Sequence, residues 1–157
     1  MSDYEVKAKE VTPQRVAILR DRIESYSKIG RLFKELRQTL AQNNISLAGP
    51  QLAIYYDEEY TPRNADVAAA IPVDAGADLP SGSRARIGEL PGGLMVSVVR
   101  TGPWDDFRPA YQAIMDWVEA NGYQIAGPNR EIHLQGPPSG VSPEEYIMEI
   151  QFPIKRR

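Results

Sequence analysis

The sequence predicts an α+β fold made from two tandem strand–helix–strand–strand repeats. Three observations support this prediction: an internal similarity without gaps, two amphipathic segments with helical spacing, and apolar runs that end in matching proline triplets. Residues 22–54 align with residues 100–132 at a constant offset of 78 positions. Similarity at a fixed offset indicates a duplicated structural unit. We therefore expect one domain over 1–157, with pseudo-repeat one at 4–73 and pseudo-repeat two at 84–154.

Each half contains one long amphipathic segment that predicts a helix. Its apolar residues recur at three- and four-residue spacing, which is typical of a helix that covers one face of a sheet. Asn43-Asn44 and Asn121-Gly122 follow these segments and predict their ends, because Asn and Gly tolerate the left-handed conformation. The apolar positions are Ile29, Leu32, Phe33, Leu36 and Leu40 in the first half, and Phe107, Tyr111, Ile114, Met115 and Val118 in the second.

Strands are predicted on both sides of each helix. Apolar extended runs at 16–19 and 94–99 precede the helices, and further runs follow each Ala-Gly-Pro turn. The last strand of each half ends in Ile71-Pro72-Val73 or Phe152-Pro153-Ile154. Two flanking segments, 5–11 and 84–90, predict an additional edge strand for each half. The expected result is a pair of antiparallel sheets with two long helices.

The composition excludes several classes of function. Hydrophobic residues make up 42% and charged residues 25% of the 157, as in an ordinary globular protein. The net charge is −3 and the basic residues are scattered, which argues against nucleic-acid binding. No signal peptide or membrane-spanning run is present. With no Cys and one His, we expect no metal and no cofactor, and a cytoplasmic location.

The two repeats differ at a carboxylate on a predicted strand. At the third position after Ala-Gly-Pro, the first repeat has Ala53 and the second has Glu131. Strand alternation predicts that Glu131 and His133 point away from the helix, as do Ala53 and Tyr55 in the first repeat. With pseudo-twofold symmetry these faces would form one concave surface, a central cleft. Its predicted lining residues are Ala53, Tyr55, Ala68, Ala70, Glu131 and His133.

Several ordered segments together point to a known family. They are the duplicated unit, Gly49-Pro50 with 53–57, the segment 127–131, and the closing segment 149–154. The chain thereby resembles the GyrI-like small-molecule-binding family, whose SHS2-type fold also forms the effector-binding domain of AraC- and MerR-type transcription regulators. The resemblance covers about 4–154. No helix-turn-helix segment precedes it, so we expect the stand-alone form.

The resemblance implies a mostly apolar cleft that binds flat aromatic and often cationic compounds, as in multidrug binding. Glu131 would be the acidic partner of the ligand's positive charge, and aromatic rings are expected near Tyr26, Tyr55, Trp104 and Tyr146. His133 stands where family members carry an apolar residue. Ring faces beside a carboxylate attract an organic cation by cation–π interaction, worth about 0.5–2 kcal/mol.

Structural roles compete with these functional interpretations. Glu131 could be a solvated carboxylate, and His133 an ordinary strand histidine. Tyr26 and Trp104 could be hydrophobic staples at the helix entries. Tyr111 lies on the apolar helical stripe and is expected in the core, with a hydroxyl that could reach the cleft.

Two other functions compete with ligand binding. Some stand-alone relatives are similar to hydrolases that open cyclopropane rings of DNA-alkylating natural products. In that case Glu131 would be the general base, with Tyr111 or Tyr55 as acid or orienting group. The third possibility is a protein-interaction module that sequesters a toxin or a topoisomerase.

Overall fold

The computed structural model describes residues 4–57 and 63–157. It contains two helices and antiparallel strands, which confirms the α+β class. The chain divides into two compact units. We call Thr12–Pro91 the α1 unit, and we call Gly92–Arg157 together with the N-terminal segment up to Val11 the α2 unit.

The elements in chain order are β1 (Val6–Val11), β2 (Gln14–Ile23), α1 (Gly30–Gln42), β3 (Leu52–Tyr55), β4 (Ala65–Pro72), β5 (Arg86–Leu90), β6 (Gly93–Thr101), α2 (Arg108–Ala120), β7 (Tyr123–Ile125), β8 (Asn129–Gln135) and β9 (Ile147–Arg156).

The α1 unit is a four-stranded antiparallel sheet covered by helix α1. Its strand order is β3-β4-β2-β5. Alternate residues of β4 face the helix, because side chains on a strand point to opposite sides in turn. These residues pack against the apolar stripe of α1 in one buried core, formed by Val67, Ala69, Ile71, Val73, Leu32, Phe33, Leu36 and Leu40 among others.

The α2 unit has the same plan with one additional strand. Its order is β1-β6-β9-β8, all antiparallel, and the short β7 pairs with the end of β9. Its buried core joins alternate residues of β6 and β9 to the stripe of α2, and it includes Val96, Val98, Ile150, Phe152, Ala110, Ile114 and Val118. The sequence prediction did not include β7.

The two helices end where the sequence predicted. Each contains 13 residues, and the cap residues are Asn43 and Asn121. Asn44 and Gly122 follow with positive φ angles of 56° and 77°. Within the part of the chain that the structure describes, neither helix is long and apolar enough to cross a membrane.

The edge strands are exchanged between the sequence halves. β1 comes from the first half but pairs with β6 of the α2 unit, from Val6 opposite Val98 to Val11 opposite Gly93. β5 lies within the predicted second repeat but pairs with β2 of the α1 unit. Each sheet is therefore completed by a strand that lies beyond its own repeat in the sequence.

The repeated Ala-Gly-Pro turn makes the same contact in both units. The amide of Ala48 donates to the carbonyl of Pro72 at 2.8 Å, and the amide of Ala126 donates to the carbonyl of Pro153 at 2.8 Å. A Cβ on Gly49 would lie 3.2 Å from Pro72 Cγ, so the close approach favours glycine. The proline triplets and the turns thus have a structural role in both units.

Candidate functional site

Glu131 faces helix α2. It lies opposite Ile150 in the register of β8 and β9, and Ile150 belongs to the core under the helix. Tyr111 of α2 donates its hydroxyl proton to Glu131 Oε2. The prediction that Glu131 points away from the helix is therefore wrong. It assumed that Leu134 packs under α2, but Leu134 is 45% exposed and lies at a register irregularity of β8.

Three side chains form a hydrogen-bonded chain that we call the Glu131 triad: Asn129, Tyr111 and Glu131. Asn129 Nδ2 donates to the Tyr111 hydroxyl at 2.9 Å, and that hydroxyl donates to the carboxylate. Glu131 is only 6% exposed. A buried carboxylate needs such donors, because the loss of hydration otherwise costs several kcal/mol. The Tyr111 ring is held edge-on by Phe152, with centroids 5.6 Å apart.

A cluster of aromatic rings surrounds His133, which lies on the same strand as Glu131. His133 lies two residues after Glu131, opposite the core residue Met148. Trp104 lies against His133 at 4.6 Å and against Tyr146 at 5.3 Å between ring centroids. We call Trp104, His133 and Tyr146 the Trp104 cluster. The structure therefore brings four predicted site residues, Glu131, His133, Trp104 and Tyr146, into one region of the α2 unit.

Trp104 is tightly packed and carries an unpaired donor. A Cβ on Gly136 would lie 2.4 Å from Trp104 Cη2, so the ring occupies the space that any other residue would need. Among the described residues, no acceptor pairs with the buried indole Nε1 of Trp104. The backbone of Gly136 thus forms one wall of the indole site.

Arg100 fixes the segment that carries Trp104. Its guanidinium donates to the carbonyl of Pro103 at 2.5 Å and to the carboxylate of Asp105 at 2.8 Å. It also lies over the Phe107 ring at 4.6 Å. Arg100 itself is buried, at 9% exposed, whereas the side chain of its partner Asp105 is 69% exposed. The backbone between β6 and α2 is therefore anchored at both ends of the Trp104 turn.

The remaining predicted site residues lie in the α1 unit. Ala53 is fully buried on the α1 face of the sheet, opposite Ala69. Its predicted grouping with Ala68 and Ala70 is wrong, because those residues pair with Ile54 and Leu52 and share their side of the sheet. The error is the same as for Glu131: the prediction placed the wrong face of the strand against the helix.

Tyr26 and Tyr55 form an aromatic pair in the α1 unit. Their centroids are 5.5 Å apart with an interplanar angle of 70°. The Tyr26 hydroxyl donates to Asp57 Oδ2 at 3.2 Å, and the amide of Asp66 donates to the same oxygen at 2.9 Å. The pair occupies the sequence positions that correspond to Trp104 and His133 at the offset of 78.

Sequence reasoning missed Asn129, Gly136, Arg100 and Asp57. Asn129 could have been found, since it precedes Glu131 by two residues and must share its face. The other three depend on contacts between segments that are distant in the sequence or on the path of a loop. Two surface hollows of the α1 unit, of about 560 and 410 Å³, are lined by none of the predicted site residues.

Comparison with known proteins gives a family and several solved structures of the same fold. The sequence profile of the GyrI-like small molecule binding domain matches residues 4–155. The crystal structure of the EcmrR C-terminal domain is 26% identical and has a TM-score of 0.90, with 99% of each chain covered. In the cryo-EM structure of an EcmrR–DNA complex, 98% of this chain is covered with a TM-score of 0.89. The chain spans only 58% of that longer EcmrR chain.

Two more distant structures share the fold. SAV2435 bound to tetraphenylphosphonium is 16% identical with a TM-score of 0.54, over 96% of this chain and 94% of that chain. A hydrolase from Listeria innocua is 14% identical with a TM-score of 0.66, over 99% and 94%. No match was found among curated proteins.

Proposed function

The chain belongs to the GyrI-like small-molecule-binding family, and on that premise we propose that it binds hydrophobic aromatic cations with Glu131 as the anionic partner. The observation that carries the proposal is the buried Glu131 carboxylate, 6% exposed and held by Tyr111, beside the Trp104 cluster. Support also comes from SAV2435, a protein of the same fold that was solved with the aromatic cation tetraphenylphosphonium.

The electrostatics of the Glu131 triad favour a cationic ligand. A charge interaction is stronger at a site with little water than at the surface. Glu131 already receives a hydrogen bond from Tyr111, and a ligand cation would add an opposite charge beside it. The rings of Trp104, His133 and Tyr146 offer π faces and apolar area close by. These features favour a flat or multi-ring cation over an anion or a sugar.

Parts of the prediction stay open to test. They are the pseudo-twofold relation between 4–73 and 84–154 and the multidrug-type range of ligands. The ligand-binding roles of Tyr26, Tyr55 and Ala53 also remain predictions. Because Ala53 is fully buried under α1, a direct ligand contact would require a rearrangement there.

Binding can be tested by titration with tetraphenylphosphonium and with a phenanthridinium dye. We expect micromolar affinity in the unmodified protein and a loss of about tenfold or more in Glu131→Gln, equivalent to about 1.4 kcal/mol. Glu149→Gln is the matched control, since Glu149 is also buried in the α2 unit but lies opposite Ile132 and away from the helix. Equal affinities of the unmodified protein and Glu131→Gln would reject Glu131 as the anionic partner.

A second candidate function is hydrolysis of a cyclopropane ring, favoured by the direct contact of Tyr111 with Glu131. Glu131 would accept a proton from the attacking water, whose oxygen bonds to a ring carbon as the ring bond breaks. The electron pair of that bond would pass into the conjugated system of the substrate, which is then protonated. Mass spectrometry of the product distinguishes the two functions. Ring-opened product that disappears in Glu131→Gln while binding persists would favour the hydrolase.

A further inference from the structure

We propose that Asn129 is a positioning residue that directs the hydroxyl proton of Tyr111 onto Glu131 and so keeps this carboxylate charged at lower pH. The inference rests on the proposed function, since it concerns how the ligand-binding site responds to pH. Asn129 acts through Tyr111 and is not itself assigned a contact with the ligand.

The direction of the hydrogen bonds follows from the chemistry of the groups. The Asn129 Nδ2 group can only donate, and it lies 2.9 Å from the Tyr111 oxygen. A tyrosine hydroxyl has one proton, so an oxygen that accepts from Asn129 has its proton available for another acceptor. That acceptor is Glu131 Oε2. Asn129 thereby sets which way the hydroxyl points.

The consequence is a preference for the ionised carboxylate. A hydrogen bond donated to a carboxylate favours its charged form. Such charge-assisted bonds are about twice as strong as neutral ones, and a donor behind the hydroxyl polarises it further. Without Asn129 the hydroxyl can rotate away from Glu131. The carboxylate would then accept a proton at higher pH.

The effect of Glu131 on the pH response must be distinguished from that of other charged or titratable groups on this face of the α2 unit. They include Tyr111 from α2, His133 from β8 and Arg100 from β6, and the tyrosines that pack against the same core or against Trp104, which are Tyr4, Tyr123 and Tyr146. Arg100 is engaged by Asp105, and His133 packs against Trp104. The neighbouring strand β9 presents apolar side chains there: Met148, Ile150 and Phe152. The experiment must therefore observe Glu131 directly and apart from His133.

The α1 unit supplies a matched control position. Gln51 corresponds to Asn129 at the offset of 78, and its Oε1 accepts from Arg37 at 2.6 Å. Phe33 and Ala53 stand at the positions of Tyr111 and Glu131, so the tyrosine and the acid of the Glu131 triad have no counterpart at these two positions. Gln51→Leu removes a carboxamide from the position of the α1 unit that corresponds to Asn129 in the sequence.

The experiment compares the unmodified protein with Asn129→Leu, Asn129→Asp and Gln51→Leu. Carbon-13 NMR follows the side-chain carboxyl of Glu131 in the ligand-free protein, which separates it from His133. We expect Asn129→Leu to raise the titration midpoint of Glu131 by about 0.5–1 pH unit. Asn129→Asp should raise it further, because a second carboxylate repels the first and competes for the hydroxyl proton. Gln51→Leu should not move it.

The second readout is the pH dependence of tetraphenylphosphonium affinity. In Asn129→Leu the acidic limb of the profile should move upward by the same amount, with little change of affinity at the alkaline end. An equal loss of affinity at every pH, with an unchanged Glu131 midpoint, would overturn the proposal. A different result would be that the Glu131 midpoint moves in Asn129→Leu while neither that variant nor the unmodified protein binds the cation at any pH. This would support the positioning role of Asn129 and reject the proposed binding function.

Discussion

Phe33 and Ala53 of the α1 unit show what the Glu131 site would be without its polar groups. They correspond to Tyr111 and Glu131 in the sequence, and both are buried in the core beneath α1. The scaffold therefore packs well with an apolar pair at these positions. The polar pair of the α2 unit adds a hydroxyl and a carboxylate to that arrangement, and this supports a role other than packing.

The first prediction compares single and double replacements of this pair. Tyr111→Phe removes the tyrosine donor from a buried carboxylate and should lower the free energy of unfolding by about 1–3 kcal/mol. The double variant Tyr111→Phe/Glu131→Ala reproduces the α1 pair and should lie within about 1 kcal/mol of the unmodified protein, or above it. Urea denaturation measures both. A double variant that is less stable than Tyr111→Phe would show that the pair is needed for the fold.

The second prediction concerns the close contact between Gly136 and Trp104. Gly136→Ala places a Cβ 2.4 Å from Trp104 Cη2, so the indole must move. We expect a cost of about 1–3 kcal/mol from overpacking, and a shifted emission of Trp104 in a Trp117→Phe background. The control is Gly30→Ala, where the new Cβ has no neighbour within 4 Å. Unchanged emission in Gly136→Ala would contradict the packing described.

At the scale of elements, the turn between β6 and α2 depends on one guanidinium. Arg100 donates to two backbone carbonyls, those of Pro103 and Asp106, and to the carboxylate of Asp105. A planar guanidinium makes these bonds in several directions at once, which a lysine ammonium on a flexible stem does not reproduce. The Trp104 cluster therefore depends on Arg100 although Arg100 is not part of it.

The third prediction is that Arg100→Lys loosens this turn. The free energy of unfolding should fall by about 1–3 kcal/mol, because the part-buried hydrogen bonds from the guanidinium to the carbonyls of Pro103 and Asp106 are lost. Cation affinity should fall with it, and Trp104 should become more accessible to a fluorescence quencher. Arg108→Lys is the control, since Arg108 forms an exposed ion pair with Asp106 and its replacement should leave stability unchanged. Equal quenching in the two variants would argue against an anchoring role of Arg100.

At the scale of the whole molecule, a second buried carboxylate links stability to pH. Glu149 is 8% exposed and receives hydrogen bonds from Ser97 at 2.7 Å and Gln151 at 2.8 Å, and it pairs with Lys9 at 2.6 Å. Burial raises the pKa of Glu149, but the bonds from Lys9, Gln151 and Ser97 outweigh it, and the pKa is lowered. These contacts join strands β1, β6 and β9.

The fourth prediction follows from the sign of that shift. A carboxyl whose pKa is lower in the folded state stabilises the fold above its unfolded pKa, and this contribution is lost as pH falls through the folded pKa. The unmodified protein should therefore be more stable than Glu149→Gln at about pH 7, and the difference should shrink below about pH 4. Urea denaturation across this range measures it. Parallel curves for the two proteins would exclude a contribution from Glu149 ionisation.

Much of the fold was predictable because its signals are local. Helical spacing and the Asn and Gly residues after each stripe located both helices and their ends. Comparison at the offset of 78 drew attention to Glu131, which stands where the first segment has Ala53. By contrast, local sequence could not predict which strand each edge strand pairs with. β1 and its partner β6, for example, are more than eighty residues apart in the sequence.

The sequence by itself determined the α+β class, the positions of the helices and Glu131 as the acid on the strand after the second Ala-Gly-Pro turn. Only the tertiary structure decided that Glu131 points to α2, that Tyr111 and Asn129 hold it, and that Arg100 and Gly136 place Trp104. The physical reason is that strand alternation defines two faces without saying which one the helix covers. That choice depends on how segments distant in the sequence pack together.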